Sequence, residues 1–87
     1  MSADLAAKLL TLLTLAEVWL KMREYDDLAM VHADMASSFD WRSSSIEMDL
    51  VKLLNQVKIW RQKKNAEEVA RCHVEMRALL EGVTSHG

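Results

Sequence analysis

The chain has no proline, and its only glycines are Gly82 and Gly87. Nothing before position 82 therefore breaks a helix by losing a backbone donor or through glycine's backbone entropy. This scarcity argues for an all-α fold, since β-rich chains depend on glycine and proline at their turns. Cysteine occurs once, at Cys72, which rules out an internal disulfide and fits a reducing compartment. Asp4 and Lys8 stand where a signal peptide would be apolar, and no apolar run is long enough to span a bilayer, so a soluble, cytoplasmic protein with no membrane partner is expected. Strong charge of one sign is also missing. The net charge is -2, and the one basic cluster, at Lys58, Arg61, Lys63 and Lys64, is followed by Glu67, Glu68, Glu75 and Glu81. A helix C-terminus with a solvated turn explains that pattern, and no nucleic-acid partner is expected.

At 87 residues, 51% hydrophobic and 28% charged, the chain forms one domain over 1–87, globular rather than disordered. A domain of this size buries only about 60 to 65% of its unfolded surface. So small a core favours a partner.

The sequence repeats. Displaced by 41 positions against itself, it sets Trp19 on Trp60, Ala29 on Ala70, His32 on His73 and Met35 on Met76. Similar residues fill the gaps: Asp26 and Asp27 meet Glu67 and Glu68, Leu28 meets Val69, and Leu9, Leu12 and Leu13 meet Leu50, Leu53 and Leu54. A unit of this length reads as two helices and a turn. The expectation is two stacked antiparallel helical hairpins, four helices in all, with repeats over 3–39 and 44–83.

Helix 1 is expected from about Ala3 to Met22. Leu5, Leu9, Leu12, Ala16 and Trp19 form one stripe at helical spacing, while Leu10, Leu13, Val18 and Leu20 lie off it. That second set reads either as further core or as an exposed strip for another helix. Helix 2, from about Tyr25 to Ser38, buries Leu28, Val31 or His32, Met35 and Phe39. In Ser44-Ser45-Ile46-Glu47 a capping box opens helix 3, with hydroxyl and carboxylate each meeting an orphan backbone donor. Ile46, Leu50, Leu53, Leu54 and Val57 share its apolar face. Asn65 caps helix 4, which buries Val69, Cys72 or His73, Met76, Leu79 or Leu80 and Val83, and is expected to end near Gly82.

Little here suggests catalysis. His32 and His73, with Cys72 or Asp34, are the tempting metal ligands, but Cys72 and His73 are adjacent and point about 100° apart on a helix, unlike zinc-site spacing. The paired acids sit at helix starts, and there is no phosphate loop or nucleophile elbow. No catalytic residues, no metal and no cofactor are expected. Met35 and Met76 read as core, whereas Met30 and Met48 fall off the stripes and Trp41 lies in a loop, which marks them for contact.

The hairpin resembles a tetratricopeptide repeat. Counted from Leu12, the positions Leu15, Ala16, Trp19, Tyr25, Leu28, His32 and Met35 agree in kind with roughly half of that repeat's signature. Leu53, Val57, Trp60, Val69, His73 and Met76 agree less well. Arg23 and Lys64 stand in place of the turn glycine, the closing proline is missing, and the period exceeds the family's length of about 34. Hairpins such as LAEVWLKMREYDDLAMVHADM look like the tetratricopeptide-like chaperones of bacterial type III secretion, which hold an aggregation-prone subunit in the cytoplasm. That resemblance implies a groove for an amphipathic helix of a client. The expected function is thus a small helical adaptor or chaperone, not an enzyme, binding a partner's apolar helix through Leu10, Leu13, Leu20, Met30, Trp41 and Met48. The alternative is a self-associating structural or regulatory domain.

Overall fold

A computed structural model describes residues 1–40 and 44–85. Within them the chain forms α1 (Ala3–Lys21), α2 (Tyr25–Ser37), α3 (Ser45–Gln62) and α4 (Ala66–Ser85), with no strand among the described residues. The helix starts follow local chemistry. The Ser2 hydroxyl accepts from the Leu5 N–H at 3.1 Å, and the Asn65 side-chain oxygen accepts from the Glu68 N–H at 3.2 Å, each satisfying a donor the first turn leaves free. Ser44 accepts from the Glu47 N–H at 3.4 Å as a capping box requires. The carboxylate half of that box behaves differently: Glu47 is buried, takes the Ser44 hydroxyl at 2.5 Å and lies 3.3 Å from the Met1 amino group.

Both hairpin turns are closed without glycine. Arg23 and Lys64 take φ of 58° and 55°, the left-handed conformation that ends many helices. Around the first, Arg23 N–H bonds to the Leu20 carbonyl and Glu24 N–H to that of Trp19; around the second, Lys64 N–H bonds to Arg61 and Asn65 N–H to Trp60. These nested bonds form Schellman motifs, which satisfy the last carbonyls and reverse the chain within a few residues. The Tyr25 hydroxyl donates to the Lys64 carbonyl at 3.2 Å, tying the start of α2 to the turn of the other hairpin.

The two hairpins stack so that the four helices close a ring. α1 packs most extensively on α4, the partners within each hairpin come next, and α2 meets α3 over the smallest area. Inside lie Ala6, Leu9, Leu13, Ala16 and Leu20 of α1; Leu28, Val31 and Met35 of α2; Leu50, Leu54 and Val57 of α3; and Val69, Cys72, Met76 and Leu80 of α4. Burial of these side chains is the main stabilising term.

Three expectations need correcting. In α1 the buried stripe runs 6, 9, 13, 16, 20, rotated from the stripe read in the sequence, and Leu5, Leu12 and Trp19 only flank it. Both stripes share Leu9 and Ala16, and the small Ala6 and Ala16 let neighbouring helices approach. Leu13 and Leu20 are therefore core residues, at 0% and 7% exposure, and Leu10 is half-buried against the core. Finally, α4 runs through Gly82 to Ser85, because a helical glycine is tolerated where no turn demands a left-handed residue.

Candidate functional site

His32 follows Leu28 by four residues and precedes Met35 by three, and His73 stands in the same relation to Val69 and Met76. Such spacing puts each imidazole on its helix's buried stripe. α2 and α4 face each other across the ring, so the two side chains meet near its centre. Their Nε2 atoms are 2.9 Å apart, their rings edge to face at a centroid distance of 5.1 Å, and both are buried.

Arg61 of α3 decides which nitrogen carries each proton. Its guanidinium can only donate, and its Nη1 lies 2.8 Å from His32 Nδ1. His32 Nδ1 must therefore be unprotonated, which places the His32 proton on Nε2. That Nε2–H donates to His73 Nε2, leaving the His73 proton on Nδ1. Among the described residues His73 Nδ1 has no hydrogen-bond partner, so within them the chain of donors ends in a buried N–H without an acceptor, a costly arrangement. The direction runs from Arg61 through His32 to His73.

Burial pushes both imidazoles well below the ordinary value of 6.5, His32 to about 3 and His73 to about 4. For His32 the positive neighbours His73 and Arg61 add to desolvation. At His73, Glu17 pulls upward and Arg77 downward. Both rings are neutral at physiological pH, and the polar core carries no charge of its own.

On either side of the pair lies a cleft between helices. Between α1 and α4, Glu17, Leu20, Lys21, Ala70, His73 and Val74 help line a volume of about 490 Å³. Arg77 spans this seam, reaching Glu17 Oε1 at 2.5 Å and Thr14 Oγ1 at 3.2 Å. Between α2 and α3, Ala29, His32, Ala33, Ala36, Leu54, Asn55, Lys58 and Arg61 line a cleft of about 290 Å³.

No protein-family model, curated protein or solved structure matches this chain.

Chemically, the pair is a poor catalyst. A neutral imidazole held far below pH 7 is a weak base, and general acid–base work favours groups near the operating pH. Two nitrogens bound to one tetrahedral zinc ion would sit about 3.4 Å apart; at 2.9 Å they share a proton instead. No group of three or more His, Cys, Asp or Glu side chains suited to a metal occurs among the described residues. Cys72 is buried and its thiol is pushed up by desolvation, away from the thiolate that reactive cysteines need.

Of the contact residues expected from sequence, Leu13 and Leu20 are interior and Leu10 is half-buried, so these three form no exposed strip. Met30 and Met48 are exposed, at 68% and 43%. Trp41 lies outside the described residues. Of the set read as a possible exposed strip only Val18 is exposed, at 46%; sequence reasoning missed its companions on the outward face, Leu15 at 42% and, at the C-cap of α1, Met22 at 57%. The signal was there: once 6, 9, 13, 16 and 20 are assigned inward, 15, 18 and 22 fall opposite. Arg61, read as a helix-end charge, was missed as the residue that orients the histidines, since nothing local foretells a contact across 29 positions.

Proposed function

We propose that this chain is a helical adaptor whose α1 outer face receives an amphipathic helix of a partner protein. One observation carries the reading: Leu15, Val18 and Met22 follow one another at three- and four-residue spacing on the solvent side of α1. Apolar residues so spaced match the anchors by which one helix lies along another. The solvent faces of the other helices are interrupted by charge: Asp26 and Asp34 near Met30, Asp49 and Lys52 near Met48, Lys58 and Lys63 near Ile59, and Arg71 and Glu75 beside Val74. Burying the three side chains supplies association energy on the order of 25 cal/mol per Å² before ordering costs. A cytoplasmic chaperone that holds a type III secretion subunit is the narrower form of this proposal, and it rests on the resemblance of the hairpins.

The test uses a synthetic amphipathic helix with leucines at i, i+3 and i+7, titrated against the full chain and followed by heteronuclear NMR. Saturable shifts at Leu15, Val18 and Met22, lost in Leu15→Glu and Val18→Glu while circular dichroism is unchanged, support the proposal. Shifts spread over the surface or unaffected by these substitutions overturn it. Light scattering on the same samples reads out self-association: a defined dimer dissolved by Val18→Glu reassigns the face to a second copy of the chain.

A further inference from the structure

The two clefts beside the histidine pair are built from corresponding positions, yet they carry different charge. At a displacement of 41 residues, Glu17 corresponds to Lys58, Arg77 to Ala36, Thr14 to Asn55 and Leu20 to Arg61. In the α1/α4 seam the cations stand beside carboxylates: Glu17 pairs with Arg77, and Glu67 lines the same cleft as Lys21 and Arg23. In the α2/α3 seam the acid is replaced by a lysine, the bridging arginine by alanine, and a second cation is added. Neither Lys58 nor Arg61 has a carboxylate within ion-pair distance among the described residues.

Arg61 is not a loose surface cation. His32 Nδ1 fixes its guanidinium at 2.8 Å, and His32 is itself held by His73. Because His32 is neutral, it orients the guanidinium without cancelling its charge. The other donors of the guanidinium remain available. Lys58, one turn earlier on α3, and Asn55 line the same cleft, which Ala29, Ala33 and Ala36 keep open on the α2 side. A positive, partly desolvated recess with a pre-oriented guanidinium is the arrangement that binds oxyanions, most effectively through paired N–H donors.

We propose that the α2/α3 cleft binds a compact oxyanion, a phosphate or carboxylate group, through Arg61, Lys58 and Asn55, with the histidine pair as the support that orients Arg61. The bound anion supplies the negative charge that Glu17 supplies in the other seam. The site is separate from the α1 face assigned to a partner helix, and it stands or falls independently of it.

The experiment titrates inorganic phosphate and, separately, acetate into the full chain at pH 7.5, with chloride at matched ionic strength as reference. Arg61 side-chain N–H, Asn55 side-chain amide and His32 ring signals are followed by NMR. The expected result is a saturable shift at all three groups that chloride does not reproduce. Phosphate alone saturating assigns the site to phosphate groups, and acetate saturating as well extends it to carboxylates. Lys58→Glu and Ala36→Glu, both at exposed positions, place a carboxylate in the cleft from within and weaken binding at least tenfold with the fold intact. A shift linear in anion concentration, equal to that with chloride, or unchanged in both variants overturns the proposal.

Discussion

His32 donates its Nε2 proton to Nε2 of His73 across 2.9 Å. The direction of that bond is imposed from outside the pair, because Arg61 occupies His32 Nδ1 with a donor of its own. Two neutral rings thus stand among the aliphatic and sulfur-bearing side chains of the core, with Glu47 the third buried polar side chain among the described residues. Stability, pH response and the orientation of Arg61 are joined through one hydrogen-bond chain.

Acid should unfold the protein. Unfolded histidines titrate near 6.5, whereas His32 and His73 are depressed to about 3 and about 4. The folded state therefore binds fewer protons than the unfolded state throughout the interval between, so stability is complete above pH 6.5 and falls as the pH drops toward 4. Arg61 and Arg77 deepen the depression and Glu17 opposes it. At pH 5 each histidine costs about 2 kcal/mol, and the two about 4 kcal/mol together, a large part of a small domain's total. Urea melts at pH 7.5, 6 and 5 should show this decline, and a pH-independent midpoint would contradict it.

Removing one histidine should harm the fold more than removing both suggests. His73→Leu leaves the His32 Nε2–H buried without an acceptor, at a cost of about 1–3 kcal/mol. His32→Leu takes the donor from His73 Nε2 and the acceptor from Arg61. The double substitution removes the mutual dependence and should fall short of the sum of the singles by at least about 1 kcal/mol in denaturant melts. Simple additivity would mean that the bond contributes nothing.

Lys64→Gly should stabilise the chain by about 1 kcal/mol, because Lys64 holds φ of 55°, where a side chain costs roughly that much. The Tyr25 bond uses the Lys64 carbonyl and survives the change. Arg23→Gly should gain less, since the Arg23 side chain also donates to the Leu20 carbonyl at 2.9 Å. A higher thermal midpoint for Lys64→Gly than for Arg23→Gly is the expected order.

Gly82→Ala should raise the midpoint too. Gly82 lies within α4, and an added Cβ meets nothing within 4 Å. The gain is about 0.5–1 kcal/mol from helix propensity, smaller if the last turn frays. A loss of stability would show that α4 ends before this position.

Much of the architecture was readable from residue order alone. The helix limits near Tyr25 and Ser45, the caps at Ser44 and Asn65, and the inward positions of Leu28, Met35, Leu50 and Met76 follow from spacing and from donors a first turn leaves open. These are local effects, acting within one or two turns. The turn at Lys64 was placed by the Asn65 cap that follows it and the one at Arg23 by correspondence between the two halves, but their left-handed geometry was not foretold, since neither residue type favours it.

Other features belonged to the assembly. A helix as apolar as α1 presents several stripes of nearly equal hydrophobicity, and only packing against α2 and α4 selected Leu13 and Leu20 for the interior while leaving Leu15, Val18 and Met22 outside. The meeting of His32 with His73, the support it gives Arg61, and the contrast between a seam where Glu17 pairs with Arg77 and one lined by Lys58 and Arg61 join positions far apart in the chain. Residue order determined which faces are apolar and where each helix begins, because those depend on neighbours a few residues away. Tertiary structure alone decided which apolar face is buried and which charges meet a counterpart, because both depend on what lies across the interface.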